Sequence, residues 1–128
     1  MKLLLDTHAF IWWANEPERL SPAALAACQG QANILLLSVA SVWEMQIKIQ
    51  LGKLKLSAGL RALVESQRRT NNLQVLAVEL SHVLGLEALP AGHKDPFDRL
   101  LISQAIAEDA TLVSADQVFS RYPVKVIS

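Results

Sequence analysis

The sequence predicts an α/β fold in three layers, with helices on both faces of a mainly parallel sheet. Five short apolar runs recur along the chain, and segments with helical spacing lie between them. A continuous apolar run of this length is typical of a strand that is buried on both faces. Strands that alternate with helices form βαβ units, which build parallel sheets. The predicted strands are Leu3–Leu5, Ile34–Leu37, Leu73–Val78, Leu112–Val113 and Val124–Ile127.

The predicted helices are marked by the residues at their ends. Ser21-Pro22 is a cap followed by proline at the first helical position, and Gly30 ends that helix. A second helix begins around Ser38 and continues to Leu51, where Gly52 stops it. Further helices are predicted from Ala58 to Arg69, after Ser81, and from Asp95-Pro96 to about Glu108.

Length and composition fit one domain, which we expect to span residues 1–128. A chain of 128 residues with 52% hydrophobic residues can bury a core, which excludes a disordered protein. Twelve acids balance twelve bases, so the net charge gives no argument for a nucleic-acid partner. The one cysteine, Cys28, lies in an alanine-rich helical stretch and is expected to be a buried apolar side chain. No apolar run has the length of a signal peptide or a membrane span, so we expect a cytoplasmic protein.

Two aspartates follow predicted strands. Asp6 comes directly after the first strand, and Asp116 follows the predicted fourth strand after Ser114 and Ala115. Ligands of open parallel sheets bind outside the carboxyl ends of the strands, so both carboxylates are expected at one edge. The alternative, that each aspartate only caps the helix behind it, is equally compatible with either residue taken singly.

Asp98 lies on the apolar stripe of the last long helix. Leu101, Ile102 and Ala105 follow it at i+3, i+4 and i+7, so the carboxylate stands at the head of a face that we expect to be buried. An ionised group there is costly unless another group satisfies it. Asp95 already occupies the cap position, so a functional role is favoured for Asp98.

Glu44 lies inside the helix that opens at Ser38. A capping box with Ser41 competes as an explanation, but it fits poorly because the helix has already begun at that point. A glutamate on such a face needs a cation. The neighbours on its face are small or apolar: Ala40, Ser41, Ile47 and Leu51.

Four converging carboxylates indicate a metal site. They repel one another, and without a counter-charge some must take up protons. All the candidate ligands are hard oxygens, with no cysteine or histidine cluster at zinc spacing, so Mg²⁺ is favoured and Mn²⁺ is possible. Magnesium held by carboxylates and waters suits hydrolysis of a phosphodiester.

Four segments of the chain also resemble a known family. They are LLLDTHAFIWW at the start, SVASVWEMQIKIQLGKLKL, HKDPFDRLLISQA, and TLVSAD near the end. In this order they are similar to the PIN-domain proteins of the VapC-like toxin group, the ribonuclease halves of type II toxin–antitoxin pairs. The resemblance spans nearly the whole chain.

The resemblance implies a fold, a site and partners. The fold would be a PIN-like sheet of about five parallel strands, and the protein would be a homodimer that cleaves RNA and is blocked by a cognate antitoxin. Asp6 and Asp98 would hold Mg²⁺ directly, while Glu44 and Asp116 would complete the pocket, through water or a second ion. Asp95 either caps its helix or joins the cluster, and the cap is favoured.

Other residues near the acids have open roles. Thr7 and Ser114 could hydrogen-bond a carboxylate or a phosphate, or serve simple turns. His8 and His93 could be general acids, although a structural or solvated role is favoured. Arg99 could reach a phosphate or pair with an acid, and the ion pair is favoured.

Two further stretches allow a functional and a structural interpretation. Residues Lys48 to Arg69 contain six cations and one acid, Glu65, which is typical of a solvated helical face but would also suit RNA-backbone contact. The consecutive bulky residues from Phe10 to Trp13 cannot all face inward from one helix. At least one should be exposed or lie at an interface with a second copy or with the antitoxin.

Two alternatives compete with a nuclease. A phosphatase of the haloacid-dehalogenase type needs a second aspartate two residues after the first, and this chain has His8 there. A non-catalytic binding module would use the acidic pocket to receive a basic residue of a partner. Mg²⁺-dependent RNA cleavage distinguishes that module from an enzyme.

Overall fold

The computed structural model, which describes residues 1–92 and 95–128, contains a five-stranded sheet. The strands are β1 (Lys2–Leu5), β2 (Ile34–Ser38), β3 (Gln74–Leu76), β4 (Thr111–Val113) and β5 (Val126–Ile127). They are ordered β3-β2-β1-β4-β5, and every neighbouring pair is parallel. The predicted α/β class with a parallel sheet of about five strands is confirmed.

The helices connect these strands. They are α1 (Thr7–Asn15), α2 (Pro22–Gln29), α3 (Val39–Gln50), α4 (Leu60–Thr70), α5 (Leu80–Leu84) and α6 (Pro96–Ala107). Three short 3-10 segments cover Pro17–Arg19, Gly85–Ala88 and Gln117–Arg121. Within the described ranges, no helix combines the length and the apolar character needed to cross a bilayer.

Two helices start at different residues from those predicted. The helix expected from Ala58 begins at Leu60, because Gly59 precedes it with φ at +81°, outside helical conformation. The helix expected after Ser81 begins at Leu80. There the ring of His82 accepts a hydrogen bond from the backbone N–H of Glu79, a cap that propensity does not reveal.

The core lies on both faces of the sheet, as a three-layer fold requires. Side chains alternate along β1, so Leu3 and Leu5 face the layer that holds α1 and α2, while Leu4 faces the layer that holds α6. All three leucines are fully buried. Cys28 is buried in the first of these layers as predicted, and its burial raises the pKa of the thiol to about 11.

Three central strands end at the same level. Leu5 pairs with Leu37 of β2 and with Val113 of β4. The residue that follows β1, Asp6, donates its backbone N–H to the carbonyl of Val113 over 3.1 Å. Side chains that come directly after these strands are therefore gathered at one edge of the sheet.

Candidate active site

A cleft of about 400 Å³ opens at this carboxyl edge. All four predicted acids line it, and so does Asp95, and together they come from four separate segments of the sequence. The described residues that line the cleft are Asp6, Thr7, His8, Trp12, Glu44, Lys48, Asp95, Asp98, Ala115 and Asp116.

Asp6 is the most buried acid of the cleft, with 7% of its surface exposed. It caps α1, because its Oδ1 accepts a hydrogen bond from the backbone N–H of Ala9 over 2.7 Å. Burial raises the pKa of the Asp6 carboxyl, and the negative charge of Asp116 raises it further. Hydrogen bonds from Ser114 and Ala9 and the nearby His8 oppose that rise without cancelling it. A neighbouring positive charge would therefore be favourable at this carboxylate.

Asp116 lies on the exposed side of the same cleft. Its Oδ1 accepts a hydrogen bond from the N–H of Val118 over 3.0 Å and so caps a short 3-10 segment. The backbone N–H of Asp116 donates to the Ser114 hydroxyl over 3.0 Å, and that hydroxyl bonds the carboxylate of Asp6. Asp116 therefore caps the segment behind it and also lies beside Asp6 at the carboxyl edge of the sheet, although the sequence presented these roles as alternatives.

Glu44 projects from the middle of α3 and is held at both oxygens. The Thr7 hydroxyl donates to Oε1 over 2.6 Å, and the Lys48 ammonium lies 3.2 Å from Oε2. The side chain of Glu44 is only 13% exposed, as expected for a residue on the inner face of the helix. The cation expected beside Glu44 is Lys48, one turn later in the same helix. The i, i+4 spacing of Glu44 and Lys48 could have identified this partner from sequence.

The first turn of α6 carries the remaining two acids. Asp95 is the cap, since its Oδ1 accepts from the N–H groups of Phe97 and Asp98 over 2.9 and 3.3 Å. Asp98 is half-buried at the head of a stripe whose other members are fully buried, as predicted. Asp95 therefore joins the lining of the cleft and caps the helix at once.

The residues near the acids behave differently from one another. Thr7 and Ser114 both hydrogen-bond carboxylates. His8 is exposed at the cleft wall, and His93 lies outside the described residues. The prediction for Arg99 is wrong: its guanidinium donates to the backbone carbonyls of Leu86 and Pro90.

The aromatic run divides between core and surface. Phe10 is fully buried, while Trp12 and Trp13 are half-buried. Trp12 lines the cleft, and the guanidinium of Arg19 lies 4.8 Å from the centre of its ring. Trp43, which no sequence pattern singled out, is 62% exposed on α3.

The donor set suits a hard divalent cation more than a soft one. The described residues include no group of three or more His, Cys, Asp or Glu side chains arranged to hold a metal ion. Mg²⁺ has a smaller requirement, since one or two carboxylates commonly hold it and water fills the other positions. Asp6 has a buried carboxylate that lacks a charged partner of opposite sign among the Lys and Arg of the described chain, and Asp98 and Asp116 share its cleft. These oxygens fit Mg²⁺ or Mn²⁺.

Comparison with known sequences shows a similarity along nearly the whole chain. A family model described as the PIN domain matches residues 3–125. The chain is 30% identical over 116 residues to Ribonuclease VapC22 of Mycobacterium tuberculosis, which covers 90% of this chain and 87% of that protein.

Solved structures show the same fold. VapBC2 from Rickettsia felis, bound to a DNA fragment from its promoter, superposes with a TM-score of 0.68 at 20% identity over 99% of this chain and 98% of that one. DNA-bound VapBC from Salmonella typhimurium gives 0.66 at 17% identity over 99% and 97%. At these identities the likeness concerns the fold alone.

Proposed function

This chain belongs to the PIN-domain family and is VapC-like. We propose that it is therefore a Mg²⁺-dependent ribonuclease that hydrolyses RNA phosphodiester bonds. The observation that carries the proposal is the cleft, where acids from separate segments converge at the carboxyl edge of the sheet. Such a concentration of carboxylates destabilises the free protein and is favourable once a cation is bound. The 30% identical relative is named a ribonuclease, which supports the choice of reaction.

The residues of the cleft have different proposed roles. Asp6 and Asp98 would bind the ion directly, and Asp116 and Glu44 would complete its surroundings. Bound Mg²⁺ would supply Lewis-acid activation of a water and charge for the phosphate oxygens. Ser114 holds the Asp6 carboxylate in place and Thr7 holds that of Glu44. The backbone N–H of Ala9 fixes the remaining orientation of Asp6, so the site is ordered before the substrate arrives.

A cleavage assay with purified protein tests the proposal. We expect the protein, free of any partner, to cleave total cellular RNA in Mg²⁺ and to stop when EDTA is added. Asp6→Asn should abolish cleavage while keeping the helix cap, because asparagine caps as well as aspartate does. Cleavage that persists in EDTA, or in Asp6→Asn, would contradict the metal-dependent mechanism.

We further propose that the protein is the toxin of a type II toxin–antitoxin pair and acts in the cytoplasm as a homodimer. The solved VapBC structures that share this fold support a cognate antitoxin as the partner. We expect induced expression to arrest growth, and co-expression of a small DNA-binding protein encoded directly upstream to restore it. Light scattering on the purified chain tests the homodimer, and a monomer would contradict it.

One observation favours a second candidate, a non-catalytic module whose acidic pocket receives a basic residue. The cleft already accepts one ammonium, since Lys48 pairs with Glu44. If the purified protein binds a partner through a lysine or arginine but never cleaves RNA in Mg²⁺ or Mn²⁺, this second candidate replaces the first.

A further inference from the structure

The cleft has an electrostatic difficulty as a binding site for RNA. Its described lining contains five carboxylates, and Lys48 is the only lysine or arginine among those residues. The phosphates of RNA are anions, and nucleic-acid affinity comes largely from cations that contact them. A bound Mg²⁺ offsets part of the repulsion, but a protein cation at the cleft wall would decide where the strand lies.

Lys48 has the position and the freedom for this task. Its ammonium lies at the wall of the cleft, 3.2 Å from Oε2 of Glu44, and its side chain is 36% exposed. Glu44 is less exposed, and Thr7 anchors its other oxygen. The greater exposure of the Lys48 side chain lets water and salt screen its attraction to Glu44. The ammonium can therefore exchange Oε2 of Glu44 for a phosphate oxygen, while the Thr7 hydroxyl still donates to Oε1 of Glu44.

The other cations of the basic stretch lie elsewhere. Arg68 pairs with Glu65 on the surface of α4, and Arg61 lines a separate groove between α3 and α4. The remaining three, Lys53, Lys55 and Arg69, are exposed, and none of the five lines the cleft. The charge run that the sequence presents as one feature is thus divided by the fold into Lys48 and a solvated remainder.

We propose that Lys48 is a substrate-binding residue of the cleft. Its ammonium exchanges Glu44 for a non-bridging phosphate oxygen of the RNA strand, and Glu44 holds it ready at the wall until then. This inference rests on the proposed ribonuclease function, and it names the side chain that contacts the substrate backbone.

RNA binding in EDTA, where cleavage is absent, tests the contact directly. The probe is a short fluorescein-labelled oligouridylate, followed by anisotropy over a series of KCl concentrations. Lys48→Met should weaken binding and lower the slope of log affinity against log salt by about 0.7, the loss expected for one contact to single-stranded RNA. Lys48→Arg should keep most of the slope, and Lys55→Met, a matched loss of charge outside the cleft, should keep all of it.

Glu44 provides the control that separates contact from simple neutralisation. Removing Lys48 alone leaves Glu44 without its cation, and the added repulsion would weaken RNA binding by itself. Glu44→Gln should therefore bind the probe more tightly than the natural protein. Adding Lys48→Met to Glu44→Gln should lower the slope of log affinity against log salt by the amount expected for one phosphate contact. If the double variant binds as Glu44→Gln does, Lys48 only neutralises Glu44 and the proposal is wrong.

The outcomes also separate this inference from the nuclease itself. If the natural protein cleaves RNA in Mg²⁺ and Lys48→Met has an unchanged salt slope and an unchanged KM, only the role of Lys48 fails. If the slope depends on Lys48 but no cleavage occurs in Mg²⁺, the ribonuclease proposal fails and the contact stands. Methionine is a good helix former, so Lys48→Met should remain folded, and a cooperative thermal unfolding transition checks this. Lys48→Gln gives a second neutral variant for the same comparison.

Discussion

The hydroxyl of Thr7 donates to Oε1 of Glu44 over 2.6 Å and thereby joins the first turn of α1 to the middle of α3. The two residues are 37 positions apart, and each lies at a point that the sheet determines. Thr7 is the second residue after β1, and Glu44 is carried on the helix that follows β2. Because the two strands are parallel neighbours in register, their following helices start side by side. This bond orients one wall of the cleft.

Thr7→Val removes the hydroxyl with little change in shape. We expect cleavage of RNA to fall about tenfold, which corresponds to about 1.4 kcal/mol of lost positioning. The free energy of unfolding should fall by about 1 kcal/mol, because Oε1 of Glu44 loses its donor. Single-turnover cleavage and urea unfolding measure the two effects. Thr7→Ser keeps the donor and should retain most of both, and equal losses in the two variants would refute this role.

Asp6→Asn should stabilise the protein at neutral pH in EDTA. The folded-state pKa of Asp6 is raised above its ordinary value of 3.8, chiefly by burial. The folded state therefore binds more protons between those two pKa values, and its stability falls as pH rises through them. This loss is absent below pH 3.8 and complete above the raised pKa. The asparagine side chain cannot ionise, so the substitution should remove that part of the pH dependence.

Urea unfolding over a pH series checks this prediction for Asp6, with Asp6→Ala as the matched variant. Alanine also removes the charge but loses the cap on the N–H of Ala9, so it should be about 1 kcal/mol less stable than Asp6→Asn. If the free energy of unfolding depends on pH in the same way in the natural protein and in Asp6→Asn, the carboxylate of Asp6 does not destabilise the folded state.

Asp98→Asn should weaken metal binding. Loss of a single ligand is expected to lower Mn²⁺ affinity by at least about tenfold, since even outer-shell partners contribute that much. Isothermal titration with Mn²⁺ measures the affinity without reference to cleavage. Asp109→Asn is the matched control, because Asp109 is exposed beyond α6 and its φ of +51° suits asparagine. If Asp98→Asn binds Mn²⁺ with unchanged affinity, Asp98 is not a ligand of the metal.

Asp95 should contribute to stability through its cap. Asp95→Ala leaves the N–H groups of Phe97 and Asp98 without their side-chain acceptor, so the free energy of unfolding should fall by about 1 kcal/mol. Asp95→Ser restores an acceptor and should recover most of that loss. Thermal unfolding of the three proteins decides, and equal stability would show that the cap contributes little.

Much of the fold could be predicted because it depends on local patterns. Continuous apolar runs indicated the strands, and caps such as Ser21, Ser38 and Asp95 indicated helix starts that agree closely with the structure. Of the two helix starts that differed, that of α4 follows from the positive φ of Gly59 and that of α5 from a contact of the His82 ring. His82, whose ring caps its own helix, also reaches Glu108 at the end of α6.

The sequence by itself determined which acids were candidates, because a carboxylate after a buried strand or on an apolar helical stripe is costly without a partner. The structure brings Asp6, Glu44, Asp98 and Asp116 to one cleft; that they hold a metal stays a prediction. Tertiary structure alone decided the partners that lie far from these acids in the sequence. Lys48 lies one turn after Glu44 in the same helix, but only the packing of α3 beside α1 places the Thr7 hydroxyl on the other oxygen of Glu44. The physical reason is that the spacing of apolar residues predicts which side chains are buried, whereas contacts between distant segments depend on strand order and register.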